Sequence, residues 1–340
     1  MKKVVTFGEI MLRLSPPGFQ RFVQAKGFDA FYGGGEANVA FSLAQYGLST
    51  SYVTKLPKNP IGQAAANELR RYGVNTDSII WDKERLGIYF CEKGAAMRPS
   101  VVVYDRAESS IAKAKKGDFN WRAIFQDAQW FHFTGITPAL GPNVAEVCLE
   151  ACQAAKELGV KVSCDLNFRK NLWTSAEAKE TMTKLMPYVD ILVANEEDAE
   201  KVFGIKAENT NVEAGNLDVE GYKAVAEKLM SSFGFEMVAI TLRESISASD
   251  NGWSGMLYDG KEFYLGPNYM VRIVDRVGGG DSFCAGLIYS LISGNEPQEA
   301  INFAVAASAL KHTIEGDFNV VEVEEVRKLM KGDASGRVQR

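Results

Sequence analysis

The sequence predicts an α/β fold: a mostly parallel sheet with helices on both faces, accompanied by a small separate β-sheet. Three observations predict it. Short apolar runs alternate with segments of helical periodicity, an order that builds parallel sheets covered on both sides. Between Ile79 and Tyr104 the period changes to that of strands, where GIYFCEK and RPSVVVYDR flank a loop of Gly and Ala. The 340 residues are 46% hydrophobic and 24% charged, a composition able to bury a sizeable core.

Each element follows from its local pattern. Val4 to Gly8 is an apolar run ending in glycine, hence a buried opening strand. Leu12 to Phe31 contributes to the small sheet. Glu36 to Tyr46 has helical spacing and stops at Gly47, where a C-terminal glycine belongs. Ser51 to Thr54 is a strand, and Pro60 to Tyr72 a helix closed by Gly73. Beyond the small sheet, strands are expected at Ala128 to Thr134, Val160 to Asp165, Ile191 to Asn195 and Met237 to Thr241. Helices are expected at Val144 to Leu158, at Val219 to Ser231 and ending over Thr181 to Pro187. Ligands of such sheets bind at the carboxyl ends of the strands, which points to Gly8, Asn167, Asn195 and Arg243.

Composition excludes several classes of function. Lys and Arg number 38 against 43 Asp and Glu, a formal charge of -5, so binding of nucleic acid through its phosphates is not expected. No window of about 18 apolar residues occurs, which removes a membrane-spanning segment. The start MKKVVTFGEIMLRLSPPG lacks a long apolar stretch and a small-residue cleavage site, so a cytoplasmic location is expected. The five cysteines are sparse and lie in apolar or helical patterns, which suits reduced core thiols. Cys148 and Cys152 share a helical face, but with only two histidines in the chain a zinc site lacks ligands.

The sharpest feature is IVDRVGGGDSFCAGLIYSLISG, three glycines and an aspartate directly before a long apolar helix. Consecutive glycines let backbone N–H groups turn toward one point, and the helix N-terminus adds partial positive charge, which makes an anion site. Asp281 is then either a helix cap or a carboxylate working beside the anion. The segment lacks the Gly-Lys-Ser or Gly-Lys-Thr of a P-loop. It also lies too late in the chain for a dinucleotide fingerprint, and GGGEANVA has the wrong glycine spacing.

A second cluster, Gly33, Gly34 and Gly35, precedes Glu36, Ala37, Asn38 and another helix. With GGGEANVAFSLAQYG near one end and DRVGGGDSFCAG near the other, the chain resembles the ribokinase-like, or PfkB, carbohydrate kinases over residues 3 to about 327. The resemblance implies a ribokinase-like fold with a core of 1–11, 35–85 and 109–330, a β lid of 12–34 and 86–108, and a polar tail of 331–340. It implies that Asp281 is the general base on the substrate hydroxyl and that Gly278, Gly279 and Gly280 form the anion hole for the transferred phosphoryl group. ANEEDAEKVFG resembles the element that organises magnesium and phosphates, giving Asn195 and Asp198, which read equally as a helix start. ATP and Mg2+ are the implied cofactors, a monovalent cation being allowed beside them, with Thr241, Arg243 and Asn319 on the nucleotide side. RESISASDNG puts Arg243 and Glu244 where the family has a glycine-bearing loop, and Arg276 and Gly279 depart from the spelling that accompanies a monovalent-cation site.

Within the family the likeness is to the kinases of 2-keto-3-deoxygluconate, carried by GGGEANVA, GIYFCEKG, VYDRAES and DLNFRKNLW. A sugar acid presents a carboxylate, which arginine's planar fork suits. The resemblance assigns Arg106 and Arg169 to that carboxylate, Tyr89 and Tyr104 to the sugar's flank, and Gly34, Gly35, Asn38 and Asn167 to its hydroxyls and surroundings. It implies transfer to the C6 hydroxyl under a lid that excludes water, and a homo-oligomer, dimer or higher, formed through the small sheets. The alternatives are a kinase of a neutral sugar, of fructokinase or ribokinase type, and a non-catalytic sugar sensor on the same fold.

Overall fold

The computed structural model describes residues 2–195, 197–206 and 219–333. Part of the expected polar tail, 334–340, lies outside these residues. The main sheet has nine strands, in the spatial order Phe263–Leu265, Asp250–Tyr258, Met237–Ser245, Ile191–Ala194, Lys161–Asp165, Ala128–Thr134, Lys3–Phe7, Ser49–Val53, with Tyr269–Arg272 also pairing to Asp250–Tyr258. From Ser49–Val53 to Met237–Ser245 every pairing is parallel. The last strands are antiparallel.

Both faces are covered because alternate residues of each strand enter different cores. Val5, Phe7, Phe131, Phe133, Leu192, Val238 and Ile240 pack with the helices Pro142–Glu157, Ser175–Leu185 and Val219–Phe233. Val4, Trp130, Ile191, Val193 and Ala239 pack with Gly35–Gln45, Gly279–Ser293 and Pro297–Lys311. This is the period of two that a buried strand requires. Local chemistry sets the helix ends. Asn59 accepts hydrogen bonds from the amides of Ile61 and Gly62 with Pro60 at the first position, and Thr174 with Glu177 forms a capping box.

The small sheet is separate, in the order Asp29–Gly33, Met11–Ser15, Ile88–Glu92, Val101–Asp105. Its outer strand, Val101–Asp105, is exposed along its length.

One expected loop is not a loop. The strand expected to stop at Thr241 continues to Ser245, with Arg243 opposite Trp253 and Glu244 opposite Gly252. The polar run RESISASDNG is a hairpin whose partner strand carries its pattern across Gly and Ser. The outer edge of Asp250–Tyr258 is covered by two short strands, Phe263–Leu265 and Tyr269–Arg272.

Candidate active site

A cavity of about 380 Å³ opens where the parallel strands end, roofed by the small sheet. Thr134, Asp165, Ala194 and Thr241 lie at or near those strand ends, as the topology requires. The cavity is lined by Gly34, Gly35, Asn38, Tyr89, Tyr104, Arg106, Asn167 and Arg169. Asn195, Thr241, Arg243, Gly278, Gly279, Gly280 and Asp281 complete the expected set on its walls. Asp198 and Asn319 are not on them.

The glycine turn is built to a narrow specification. Gly278 caps helix Gly279–Ser293 with φ 82, left-handed backbone that favours glycine, and a Cβ there would collide with the carbonyl of Asp317. A Cβ on Gly279 would strike the His312 ring, whereas one on Gly280 would meet nothing within 4 Å. Ser282 Oγ donates to Gly278 O at 2.8 Å and Ser308 Oγ to Gly279 O at 2.6 Å, which holds these carbonyls in place. First-turn amides of a helix have no intrahelical acceptor, so Gly280 stands open with donor capacity beside it.

Asp281 is not the cap of this helix: Gly278 holds that position and makes no side-chain bond. The Asp281 carboxylate instead accepts from Asn38 Nδ2 at 2.7 Å, and Asn38 Oδ1 accepts from the Gly34 amide at 3.3 Å. The two glycine clusters, distant in sequence, thus meet through one amide side chain. Burial raises Asp281 to about 6, opposed by the Asn38 hydrogen bond and by Arg169. A carboxylate so placed is ionised at neutral pH yet basic enough to take a proton.

The arginines differ. Arg106 donates through Nε, at 2.8 Å, and through Nη2 to Glu9 Oε2, while Ser109 Oγ donates to Glu9 Oε1 at 2.6 Å. Its guanidinium also stands over the Tyr104 ring at 5.5 Å. Glu9, buried at the end of the first strand, therefore fixes the orientation of Arg106. Arg169 donates to Phe168 O at 3.0 Å and follows Asn167, whose φ of 40 is unusual for a residue other than glycine. Asp165 holds that bend, accepting from the Asn167 amide at 3.2 Å and from Asn167 Nδ2 at 3.3 Å. Asp165 is pushed up by burial and by the nearby Asp198 and Asp281, with Arg169 opposing. Tyr89 lines the cavity, but its hydroxyl donates to Asp317 and its ring stacks on Tyr104 at 5.8 Å.

The residues expected on the nucleotide side fall in different places. Asn195 Oδ1 accepts from the amides of Glu197 at 2.8 Å and Asp198 at 3.0 Å, the pattern of a helix start, while the residue still borders the cavity. Asp198 turns inward, accepting from Phe168 N at 3.0 Å and Asn195 N at 3.2 Å, because its carboxylate ties two chain segments together. Asn319 is buried, its Nδ2 donating to Ala307 O at 3.1 Å and to the Tyr46 hydroxyl at 3.4 Å, so it anchors a loop to a helix instead of facing the cavity. Arg276, unassigned in the sequence reading, stands on the cavity wall near enough to Arg243 that burial and this like charge lower it.

Sequence reasoning missed Glu9 and Glu36, and a buried charge network. Glu36 Oε1 accepts from Thr134 N at 2.9 Å, Thr134 Oγ1 at 2.8 Å and Thr137 Oγ1 at 2.6 Å, fastening the helix that carries Asn38 to a strand end. Arg13 in the small sheet is fully buried and bridges Asp275 at 2.7 Å and Asp317 at 3.0 Å. Nothing in the one-dimensional pattern distinguishes these charges from solvated ones.

Comparison with known proteins identifies the family. Residues 1–322 match the profile described as pfkB family carbohydrate kinase. A crystal structure of 2-dehydro-3-deoxygluconokinase from Thermotoga maritima is 53% identical, with a TM-score of 0.94, covering 97% of this chain and 98% of that one. A 2-dehydro-3-deoxygalactonokinase from Haloferax volcanii is 34% identical over 336 residues, 98% of each chain. A putative ribokinase II from Escherichia coli, solved with ATP and Mg2+, has a TM-score of 0.79 at 18% identity, covering 98% of this chain and 100% of that one, which is a likeness of fold.

Proposed function

The chain belongs to the pfkB family of carbohydrate kinases, and from that premise we propose that it phosphorylates the C6 hydroxyl of 2-keto-3-deoxygluconate, with ATP as donor. The observation that carries this reading is Asp281, raised to about 6, beside the glycine turn in a cavity that also presents Arg106 and Arg169.

Asp281 takes the proton from the C6 hydroxyl as its oxygen bonds to the γ-phosphorus, and the bond from that phosphorus to the bridging oxygen breaks to release ADP. The amides at Gly278 and Gly280 stabilise charge on the phosphoryl oxygens, and the Gly279 amide, which donates to Arg276 O at 3.3 Å, holds the turn that presents them. Arg169 binds the sugar's carboxylate, and Arg106 contributes the nitrogen, Nη1, that Glu9 does not engage. The small sheet, residues 12–34 and 86–108, acts as a lid that keeps water from accepting the phosphoryl group, over a core of 1–11, 35–85 and 109–330.

Among the described residues no group of three His, Cys, Asp or Glu forms a metal nest. Burial, with the nearby charges of Asp198 and Asp281, pushes Asp165 up, and a divalent cation brought in with the nucleotide would be held mainly by the phosphates. Magnesium, when bound, would neutralise charge on the phosphates, with Asn195 on the cavity wall beside them and Asp198 behind it, bonded to the amides of Phe168 and Asn195. Arg243, with Thr241, faces the phosphates. This reading uses no monovalent cation.

The exposed edge strand with Val101, Val102, Val103 and Tyr104 supports pairing of lids between two copies. No helix among the described residues is long and apolar enough to cross a membrane.

The test is ADP release with ATP and magnesium, comparing 2-keto-3-deoxygluconate and its galactonate epimer with fructose, ribose and gluconate. Turnover confined to the keto-deoxy acids supports the reading. Preference for fructose or ribose refutes the arginine clamp, and sugar binding without turnover refutes the kinase assignment.

A further inference from the structure

Lys311 ends the helix Pro297–Lys311 and is fully buried, a placement rare for lysine unless its charge is used. Its ammonium donates to Ile314 O at 3.1 Å, and its Cε lies 3.3 Å from the point a Cβ on Gly278 would occupy. The charge therefore sits directly beneath the glycine turn. Burial lowers the ammonium from its usual 10.5, while of the groups facing it Asp275, Asp317 and Asp281 favour the charge and Arg13 opposes it.

The surrounding backbone encloses this position. The amides of Val274 and Asp275 donate to His312 O, the Gly316 amide donates to Asp275 Oδ2 at 3.2 Å, and the Asp317 carbonyl lies against Gly278. Arg13 and Lys311 together balance Asp275 and Asp317. Without Lys311 this buried pocket would carry net negative charge under a turn whose task is to receive an anion, and in a low-dielectric interior that repulsion is poorly screened.

We propose that Lys311 is a positioning residue of phosphoryl transfer, a built-in cation that neutralises Asp275 and Asp317 and holds the Gly278 turn ready for the transferred phosphoryl group. The proposal rests on the kinase reading above and adds to it a fixed charge that touches neither substrate. Two consequences follow from its chemistry. The wild-type enzyme has no use for an added alkali cation at this place. Removal of the ammonium leaves a hole lined by carboxylates and a carbonyl, which a small cation can enter.

The experiment is ADP release by the full-length wild type and Lys311→Met, with saturating ATP, magnesium and sugar acid, in choline chloride and in potassium or ammonium chloride of equal ionic strength. The expected result is wild-type turnover indifferent to the salt, and kcat of the variant lower by about tenfold or more, KM little changed, with part of the loss regained in potassium or ammonium. Lys311→Gln keeps a donor for Ile314 O but no charge, and is expected to behave as Lys311→Met does. It also serves if the Met variant folds poorly. A wild type that requires potassium, a variant kcat within about twofold of wild type, or a loss that neither cation relieves overturns the proposal. Absence of turnover in the wild type would instead refute the kinase reading on which it rests.

Discussion

Replacing Asn38 by Ala removes a side-chain donor from the Asp281 carboxylate, a bond of 2.7 Å that lowers a pKa otherwise raised by burial. A hydrogen bond to a charged group contributes about 1.5–3 kcal/mol, and one pKa unit corresponds to about 1.36 kcal/mol, so a fully buried bond would shift Asp281 upward by about one to two units. Asp281 is partly exposed and water can replace some of the lost donor, which places the expected shift near the lower end, about one unit. Because the base works as the carboxylate, activity is present above its pKa and lost as pH falls through it. The acid limb of kcat/KM is therefore expected near 6 in the wild type, and about one unit higher in Asn38→Ala, with rates converging toward pH 9 or so. The assay is ADP release at subsaturating sugar acid across that range. A limb that stays in place, or moves to lower pH, would show that Asn38 does not set the acidity of Asp281 or that the limb reports another group.

Further outcomes follow from the same geometry. Arg169→Ala removes a charge-assisted contact of about 1.5–3 kcal/mol and is expected to raise KM for the sugar acid by roughly 10- to 100-fold in steady-state assays, with less effect on kcat; unchanged KM would refute the clamp. Gly279→Ala drives a methyl into the His312 ring and is expected to lower the urea midpoint of unfolding, whereas Gly280→Ala has free space and is expected to keep it while losing turnover. Arg13→Met leaves Asp275 and Asp317 buried without their partner and is expected to cost about 3–5 kcal/mol in denaturant unfolding. Glu36, raised by burial from its usual 4.5 to about 7, binds its proton more tightly in the folded state, so it makes stability fall as pH rises between those values. The fall is on the order of 3 kcal/mol, and its absence in Glu36→Gln, against a wild type that shows it, is the check.

The parts of the fold that could be read in the sequence are those with local periodicity. The run Ala128 to Thr134 and the helix from Pro60 needed only alternation and a cap, and both stand within a residue of the expected bounds. The hairpin after Thr241 could not be read because Gly and Ser interrupt its alternation, and pairing with Asp250–Tyr258 supplies what the side chains do not. The site divides in the same way. Asp281, Asn38 and the glycines announce themselves through clusters that only a turn, a close approach or an anion requires. Glu9, Arg13 and Lys311 do not, since a charge beside an apolar run looks the same whether it faces water or a buried partner brought from 97 or 304 residues away. Asn319 and Asp198 show the converse: a motif position can be kept while its side chain serves the backbone.

The central claim is that Asp281 removes the proton of the sugar-acid hydroxyl, and Asp281→Asn, which keeps shape and removes basicity, tests it most directly. ADP release with saturating ATP and 2-keto-3-deoxygluconate is expected to fall by about 10²- to 10⁴-fold in kcat, while calorimetric binding of the sugar acid persists within a few fold of wild type. A kcat within about tenfold of wild type, measured on protein with unchanged binding, would contradict the account and move the base elsewhere in the cavity.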